Sequence, residues 1–231
     1  MTPGARILVV DDEPQIRRSL EVNLAGKGYA VFTADGADQA LQLLSNRSPD
    51  VIIMDLVMPG VDGIELTRRI RAQSSVPIIV LSAIGSEQKK VEALELGADD
   101  YVTKPFSMEE VFARIKSVLR RAAGARSSEP IWTSGDLAVN FDRREVRLKG
   151  EEVRLTPTEY DLLKYMIANA GKVLTQKMLL TAVWGPAYGD QAQYLRVFIG
   201  QLRKKLETNP ASPRFILTDL GVGYRFSADA S

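Results

Sequence analysis

Five consecutive residues, Val51-Ile52-Ile53-Met54-Asp55, constrain the fold more than any other stretch of this chain. Four apolar positions end abruptly on a carboxylate, and Pro49-Asp50 and Pro59-Gly60 bracket the run. A half-buried strand alternates apolar and polar residues, whereas a strand apolar at every position is covered on both faces, as in a parallel sheet between helices. Open sheets of that kind carry their chemistry in the crevice beyond the carboxyl ends of the strands, which is where Asp55 stands. The same design recurs at Ile7-Leu8-Val9-Val10, which runs into Asp11-Asp12-Glu13. Ile78-Ile79-Val80-Leu81 ends on Ser82, and Tyr101-Val102-Thr103 ends on Lys104-Pro105. One rim of the sheet therefore collects acids, a hydroxyl and a lysine.

Helical periodicity fills the gaps between these strands. Ile16, Leu20 and Leu24 share a face from Glu13 to Gly26, with Pro14 in the first turn. A short strand at Ala30-Val31-Phe32-Thr33 is followed by Ala37, Ala40, Leu41 and Leu44 at the same period, closed by Pro49. Further helices are expected over 62–73, over 87–96 with Gly97 as its stop, and over 107–121. In the last, Ser107 and Glu110 have capping-box spacing and Val111, Ile115, Val118 and Leu119 form the buried stripe. Five strand–helix units predict a doubly wound α/β domain over residues 1–123. The 231 residues leave room for a second domain, and 45% hydrophobic content suffices for a core in each.

Small polar residues without apolar period make 124–130 a linker. From 131 onward, Leu137-Ala138-Val139, Val146-Arg147-Leu148 and Val153-Arg154-Leu155 alternate, with turn residues at Asp142-Arg143 and Lys149-Gly150, predicting a small antiparallel sheet. Three helices follow. Thr156 and Glu159 cap the first, whose Leu162, Leu163, Met166 and Ile167 face inward, and the second runs from about Thr175 to Val183. The third, over 191–207, buries Leu195, Ile199, Leu202 and Leu206 and leaves Gln193, Arg196, Gly200, Arg203, Lys204 and Glu207 on the opposite face. A helix packed on one side and basic on the other suits the major groove of DNA. A terminal hairpin is expected around Gly221 and Gly223. Charge agrees with this division: residues 1–123 carry 15 basic and 17 acidic side chains, and residues 124–231 carry 15 and 12.

The chain has no cysteine, which excludes disulfides and thiolate metal sites and fits a reducing cytoplasm. It has no histidine, so phosphate chemistry here must use carboxylates and lysine. No apolar stretch approaches the roughly 18 residues of a membrane span, so a cytoplasmic location without membrane attachment is expected.

The motifs D-D-E, M-D-L-V-M-P-G, L-S-A and K-P-F, in that order over residues 6–121, resemble the receiver domain of bacterial two-component response regulators. The resemblance implies strand order 2-1-3-4-5, which brings Asp11, Asp12 and Asp55 to one switch point. Three carboxylates at one rim repel unless a cation neutralises them, and an all-oxygen set suits magnesium. By resemblance, Asp12, Asp55 and the backbone carbonyl of Val57 bind Mg²⁺, with Asp11 acting through a metal-bound water. Asp55 is then the phosphoacceptor, stabilised by Lys104 and Ser82, and Tyr101 is the rotating switch residue. Taken singly, each has an ordinary reading: a strand-end aspartate as a helix cap, a solvated loop lysine, a serine cap, a half-buried sheet aromatic. Their joint occurrence in one order is what favours chemistry.

L-T-P-T-E-Y-D-L-L, G-K-V-L-T, L-R-K-K-L-E and G-V-G-Y-R-F, spread over 131–227, resemble the winged-helix effector of the OmpR/PhoB family. The stretch from V-W-G-P-A-Y to L-R-K-K-L-E looks most like the KdpE subgroup, which controls potassium uptake. The implied protein is a phosphorylation-dependent transcription regulator, with a sensor histidine kinase, double-stranded promoter DNA, RNA polymerase and a second copy of itself as partners. The DNA-facing residues are Gln193, Arg196, Gly200, Arg203 and Lys204. Many family members carry an arginine at the wing turn, and here that place is Leu220, leaving Arg225 as a substitute. Dimerisation is expected through the fourth helix, fifth strand and fifth helix, which bear Lys90, Glu95, Asp99, Asp100, Glu110, Arg114, Lys116 and Arg121. By resemblance Lys90 pairs with Glu110 and Asp100 with Arg114 across a two-fold axis, and Val91 and Leu94 supply apolar contact.

Two rival classes are weaker. A magnesium-dependent phosphatase with an aspartate nucleophile usually needs a second aspartate two residues on, where this chain has Val57. A dinucleotide-binding module needs a G-x-G-x-x-G after the first strand, where this chain has acids.

Overall fold

A computed structural model of the chain describes residues 4–83, 87–123, 131–189 and 191–228. It divides into two compact units, Met1–Ala122 and Ala123–Ser231. The expected linker at 124–130 lies outside the described residues, as does the side chain of Arg121. Among the described residues no helix is long and apolar enough to cross a membrane.

The first unit alternates strand and helix: β1 Arg6–Val10, α1 Pro14–Ala25, β2 Ala30–Ala34, α2 Ala37–Asn46, β3 Val51–Asp55, α3 Gly63–Arg71, β4 Ile78–Ala83, α4 Glu87–Glu95, β5 Asp100–Lys104 and α5 Met108–Ala123. The strands form one parallel sheet in the order β2-β1-β3-β4-β5. All five residues of β3 are buried, as its unbroken apolar run requires, and Ile52, Ile53 and Met54 are fully so. Each such side chain contributes about 1.5–3 kcal/mol relative to an exposed one. Leu20 and Leu24 of α1 pack with Val111, Ile115 and Val118 of α5 against Ile7, Val9, Ile53 and Leu81.

The loop after β3 is held close to the strand end. Gly63 donates its N–H to the Leu56 carbonyl at 3.0 Å, and a Cβ there would lie 2.2 Å from the Asp55 carbonyl oxygen. Only glycine lets α3 start this near the end of β3. Asp62 then caps α3 by accepting from the Glu65 N–H at 2.9 Å.

In the second unit, β6 Trp132–Ser134, β7 Leu137–Asn140, β8 Glu145–Leu148 and β9 Glu151–Glu152 form an antiparallel sheet in that order. α6 Pro157–Ala168, β10 Val173–Thr175, α7 Gln176–Val183, a 3-10 turn at Pro186–Tyr188 and α8 Ala192–Leu206 follow, and β11 Ile216–Asp219 and β12 Gly223–Phe226 complete a second sheet in the order β10-β12-β11. This is the winged-helix architecture. The expected strand at Val153–Leu155 is not formed. Lys149 and Gly150 take positive φ (54° and 83°) and set the pairs Leu148↔Glu151 and Arg147↔Glu152, so the ladder lies two residues earlier. Thr156 then diverts the chain, because its N–H donates to Glu159 Oε2 at 2.8 Å in a complete capping box. For α5 half of the expected box is present: Ser107 Oγ accepts the Glu110 N–H at 3.1 Å.

Candidate functional site

β1 and β3 lie side by side with Val10 opposite Met54, so the residues that follow, Asp11 and Asp55, reach the rim at one level. Asp11 is fully buried and Asp55 nearly so. With Asp12 they bring one carboxylate oxygen each to within 4.8 Å of one another. Lys104, at the end of β5, reaches across the rim: its Nζ lies 2.7 Å from Asp55 Oδ2, 2.9 Å from Asp11 Oδ2 and 3.6 Å from Glu13 Oε1. The following peptide, Lys104–Pro105, is cis. The second oxygens are also held. Asp11 Oδ1 accepts the Glu13 N–H at 2.9 Å, and Asp55 Oδ1 accepts the Val57 N–H at 3.1 Å.

Burial pushes the Asp11 carboxyl above its usual range; Lys104 and the Glu13 N–H offset this only in part, and the Asp55 charge adds to it. Burial alone would pull Lys104 down, but hydrogen bonds to Asp55 and Asp11, with their charges, outweigh it and the net shift is upward. One ammonium thus faces three clustered carboxylates, a donor set of hard oxygens with excess negative charge. Asp11, Asp12 and Asp55 fit a divalent cation of the magnesium class on those grounds.

Ser82 sits one residue beyond Leu81, the register partner of Asp55, and is fully buried. Its Oγ has no hydrogen-bond partner among the described residues, an orphaned hydroxyl beside the acid cluster's strand end. Tyr101 is half-exposed on β5, with Lys90 Nζ 4.9 Å from its ring centroid.

The charged face expected for dimerisation is changed by the structure. Asp99 is fully buried and accepts from Arg71 Nη2 at 2.9 Å and from the Ile78 N–H at 3.0 Å, so it holds α3 to β4. Asp100 is also buried and Lys90 nearly so. Arg114 lies 3.2 Å from Glu110 and 4.0 Å from Asp100 of its own chain. Leu94, expected to offer apolar contact, is 2% exposed because it packs inward. Val91 is half-buried.

On α8 the structure brings Leu195, Ile199, Leu202 and Leu206 to the core and leaves Gln193, Arg196 and Lys204 exposed, with Gly200 half-buried. Two residues expected on the open face are turned inward. Glu207 is buried and accepts the N–H groups of Arg214, Phe215 and Ile216 at 2.8, 2.9 and 2.9 Å. Arg203 is half-buried: Nε and Nη2 donate to the Ile216 carbonyl at 3.0 and 2.7 Å, and Nη2 donates to Thr218 Oγ1 at 2.7 Å. Both follow from the chain's return along α8 into β11, which presents unpaired backbone groups to whichever polar side chains line that edge. Arg225 pairs with Asp219 at 3.1 Å within the hairpin. Leu220, at the turn, is 90% exposed.

Sequence reasoning missed the reach of Glu13 to Lys104 and the bond from Arg17 Nη1 to the Asp11 carbonyl at 2.6 Å; the third acid of D-D-E was the available signal. It also missed Lys205, which donates to Glu159 Oε2 at 2.6 Å and so joins α8 to the cap of α6.

Residues 7–116 match the family model described as response regulator receiver domain, and residues 150–226 match transcriptional regulatory protein, C terminal. The chain is 45% identical over 223 residues to the transcriptional regulatory protein KdpE of Mycobacterium tuberculosis, covering 96% of this chain and 99% of that one. It is 46% identical over 220 residues to the KDP operon transcriptional regulatory protein KdpE of Escherichia coli, covering 95% and 98%. Among solved structures, a RitR mutant matches with a TM-score of 0.79 at 25% identity, covering 97% and 99% of the two chains. DrrB of Thermotoga maritima, an OmpR/PhoB homolog, matches with a TM-score of 0.52 at 31% identity over 97% and 99%.

Proposed function

Because the chain belongs to the two-component response regulators of the OmpR/PhoB winged-helix family, we propose that phosphorylation of Asp55 controls its binding to promoter DNA. In this reading residues 1–123 receive the phosphoryl group and residues 131–231 bind DNA. The observation that carries it is the Lys104 ammonium bonded at once to Asp55 and Asp11, with Asp12 beside them.

The donor is a phosphohistidine on a sensor kinase. An Asp55 carboxylate oxygen attacks phosphorus; the phosphorus–oxygen bond forms, the phosphorus–nitrogen bond breaks, and the departing imidazole takes a proton from water. Asp12, Asp55 and the Val57 carbonyl would hold Mg²⁺, with Asp11 acting on it through a water. When bound, the ion neutralises charge gathering on the phosphoryl oxygens. Lys104 surrenders its bond to Asp55 and takes up a phosphoryl oxygen, so its positive charge stays where the negative charge moves. Ser82, whose hydroxyl lacks a partner among the described residues, donates to another. Tyr101, on the adjacent strand, follows that inward pull, and the change in the α4–β5–α5 face favours a dimer. Forming the pairs Asp100–Arg114 and Lys90–Glu110 between chains requires Arg114 to leave its own Glu110 and Asp100, and the buried Asp100 and Lys90 to become accessible.

Gln193, Arg196, Gly200 and Lys204 face the major groove. The identity to KdpE proteins over 96% of the chain supports a potassium-transport operon among the regulated genes, and RNA polymerase as a partner at the promoter. The site of action is the cytoplasm. Incubation with an acyl-phosphate donor and Mg²⁺ tests the reading: one phosphoryl group, about 80 Da, should appear by intact mass on the wild type and be absent from Asp55→Asn. An undiminished adduct in that variant moves the acceptor elsewhere.

A further inference from the structure

Arg203 belongs to the basic motif of α8, yet it is half-buried and its guanidinium is held against β11. Three hydrogen bonds of 2.7–3.0 Å bind it to Ile216 and Thr218 of β11, and the Tyr224 ring of β12 lies 5.9 Å away. Nε and Nη2 are spent on protein oxygens, which fixes the plane of the guanidinium against β11 and leaves the Nη1 edge alone for any other acceptor. Glu207, one turn further on, gathers three N–H groups from the segment entering β11. At the other side of the wing, Gly223 permits an approach to β10 so close that a Cβ would lie 2.0 Å from the Leu174 carbonyl oxygen. The hairpin is therefore tied to the body along both edges.

What this braced hairpin presents is apolar. Leu220 is 90% exposed and Val222 49% exposed, around Gly221 at a φ of +74°. The charges nearest the tip, Asp219 and Arg225, pair with each other at 3.1 Å, so Arg225 is not a free cation for DNA. A neutral tip offers nothing to phosphates, but an exposed leucine on a rigid support is the kind of wedge that packs on sugars and base edges in a minor groove.

We infer that Arg203 is a positioning residue that locks the wing to α8, and that the wing meets DNA through Leu220 as an apolar contact at a fixed offset from the helix. Helix and wing then read one stretch of duplex as a single body. The inference rests on α8 being the DNA-facing helix.

The test uses full-length protein and an operator selected by the wild type from randomised duplexes, with affinity measured across salt and hydroxyl-radical footprints. Lys204→Ala, a phosphate contact, should flatten the dependence of log affinity on log salt by about one. Arg203→Met should keep the wild-type slope yet lose protection at the flank covered by the wing. Leu220→Asp should lose the same flank and about tenfold in affinity. The Arg203→Met/Leu220→Asp pair should lose no more than either alone. Should Arg203→Met fail to fold, Thr218→Val removes one acceptor of the lock: flank protection lost at unchanged slope supports the inference, and flank protection retained overturns it. A slope that falls by one in Arg203→Met with the flank still protected makes Arg203 a direct contact. A Leu220→Asp variant with unchanged affinity and footprint means that the tip meets something other than DNA, and either result overturns the inference. Unchanged slope and affinity in Lys204→Ala would instead remove α8 from the DNA, and the inference falls with that reading.

Discussion

Lys104 stands among more negative charge than it can balance, and that imbalance governs how single residues of the rim behave. Asp11 is pushed upward chiefly by burial, so in metal-free protein a proton and a cation compete for the same carboxylate. Binding of Mg²⁺ requires the deprotonated form. Its affinity should weaken as pH falls, and at a higher pH than an ordinary aspartate would give, because the Asp11 carboxyl is raised; calorimetric titration at several pH values measures this. Both tryptophans, Trp132 and Trp184, belong to the second unit, so their fluorescence does not report on the site directly. Lys104→Met leaves Asp11 and Asp55 without their cation. Because Lys104 is 17% exposed and Asp55 9%, the usual cost of a broken buried pair is discounted to about 1–3 kcal/mol. Urea unfolding without metal should show that loss, and Mg²⁺ should recover more stability in the variant than in the wild type. Equal stabilisation of the two by Mg²⁺ would separate the ion from this cluster.

Elements are joined by carboxylates that collect backbone donors, and Glu207 is the strongest case. Removing its side chain leaves three N–H groups at the entry to β11 without acceptors. Glu207→Ala should destabilise the second unit by about 2–4 kcal/mol, with Glu207→Gln recovering part of it, as read by denaturant unfolding followed through tryptophan fluorescence. A loss below about 0.5 kcal/mol would mean that water replaces the carboxylate at no cost. Here the sequence was least legible. The Thr156–Glu159 box could be read from spacing because both partners are local. Glu207 and Arg203 read as solvent-facing because helical period places them opposite Leu195 and Leu202, and period is silent about a strand returning along that side. The misplaced strand at Val153–Leu155 has a related cause: its alternation is genuine, but the left-handed Lys149–Gly150 turn fixes the register two residues earlier. In the first unit the parallel strands and the acid rim were readable, since unbroken apolar runs ending on polar residues mark such strands and their active ends at once, whereas the strand order came from the resemblance of the motifs to receiver domains. Asp99 was not, because burial of a carboxylate against Arg71 leaves no periodic trace.

For the molecule as a whole, the proposed function requires that a change at Asp55 reach Arg196 and Lys204 in the other unit, and dimerisation would offer a route that needs no fixed contact between units. Two chains paired through α4, β5 and α5 would hold two winged helices together, so that binding the first half-site would raise the effective concentration of the second helix at its own. Arg114 is 19% exposed and lies 4.0 Å from the buried Asp100 of its own chain, so Arg114→Glu should weaken assembly through lost register and like-charge contact, with denaturant unfolding checking that the receiver stays folded. Light scattering with beryllofluoride should find dimer for the wild type and mainly monomer for the variant; equal dimerisation would remove this face from the mechanism. The central claim, that one aspartate governs DNA binding, is tested most directly by measuring operator affinity of the wild type and of Asp55→Asn with and without an acyl-phosphate donor in Mg²⁺. The account predicts a rise of about tenfold or more on phosphorylation for the wild type and none for Asp55→Asn. Equal affinity in all four conditions, with the phosphoryl group present on the wild type by mass, would contradict it.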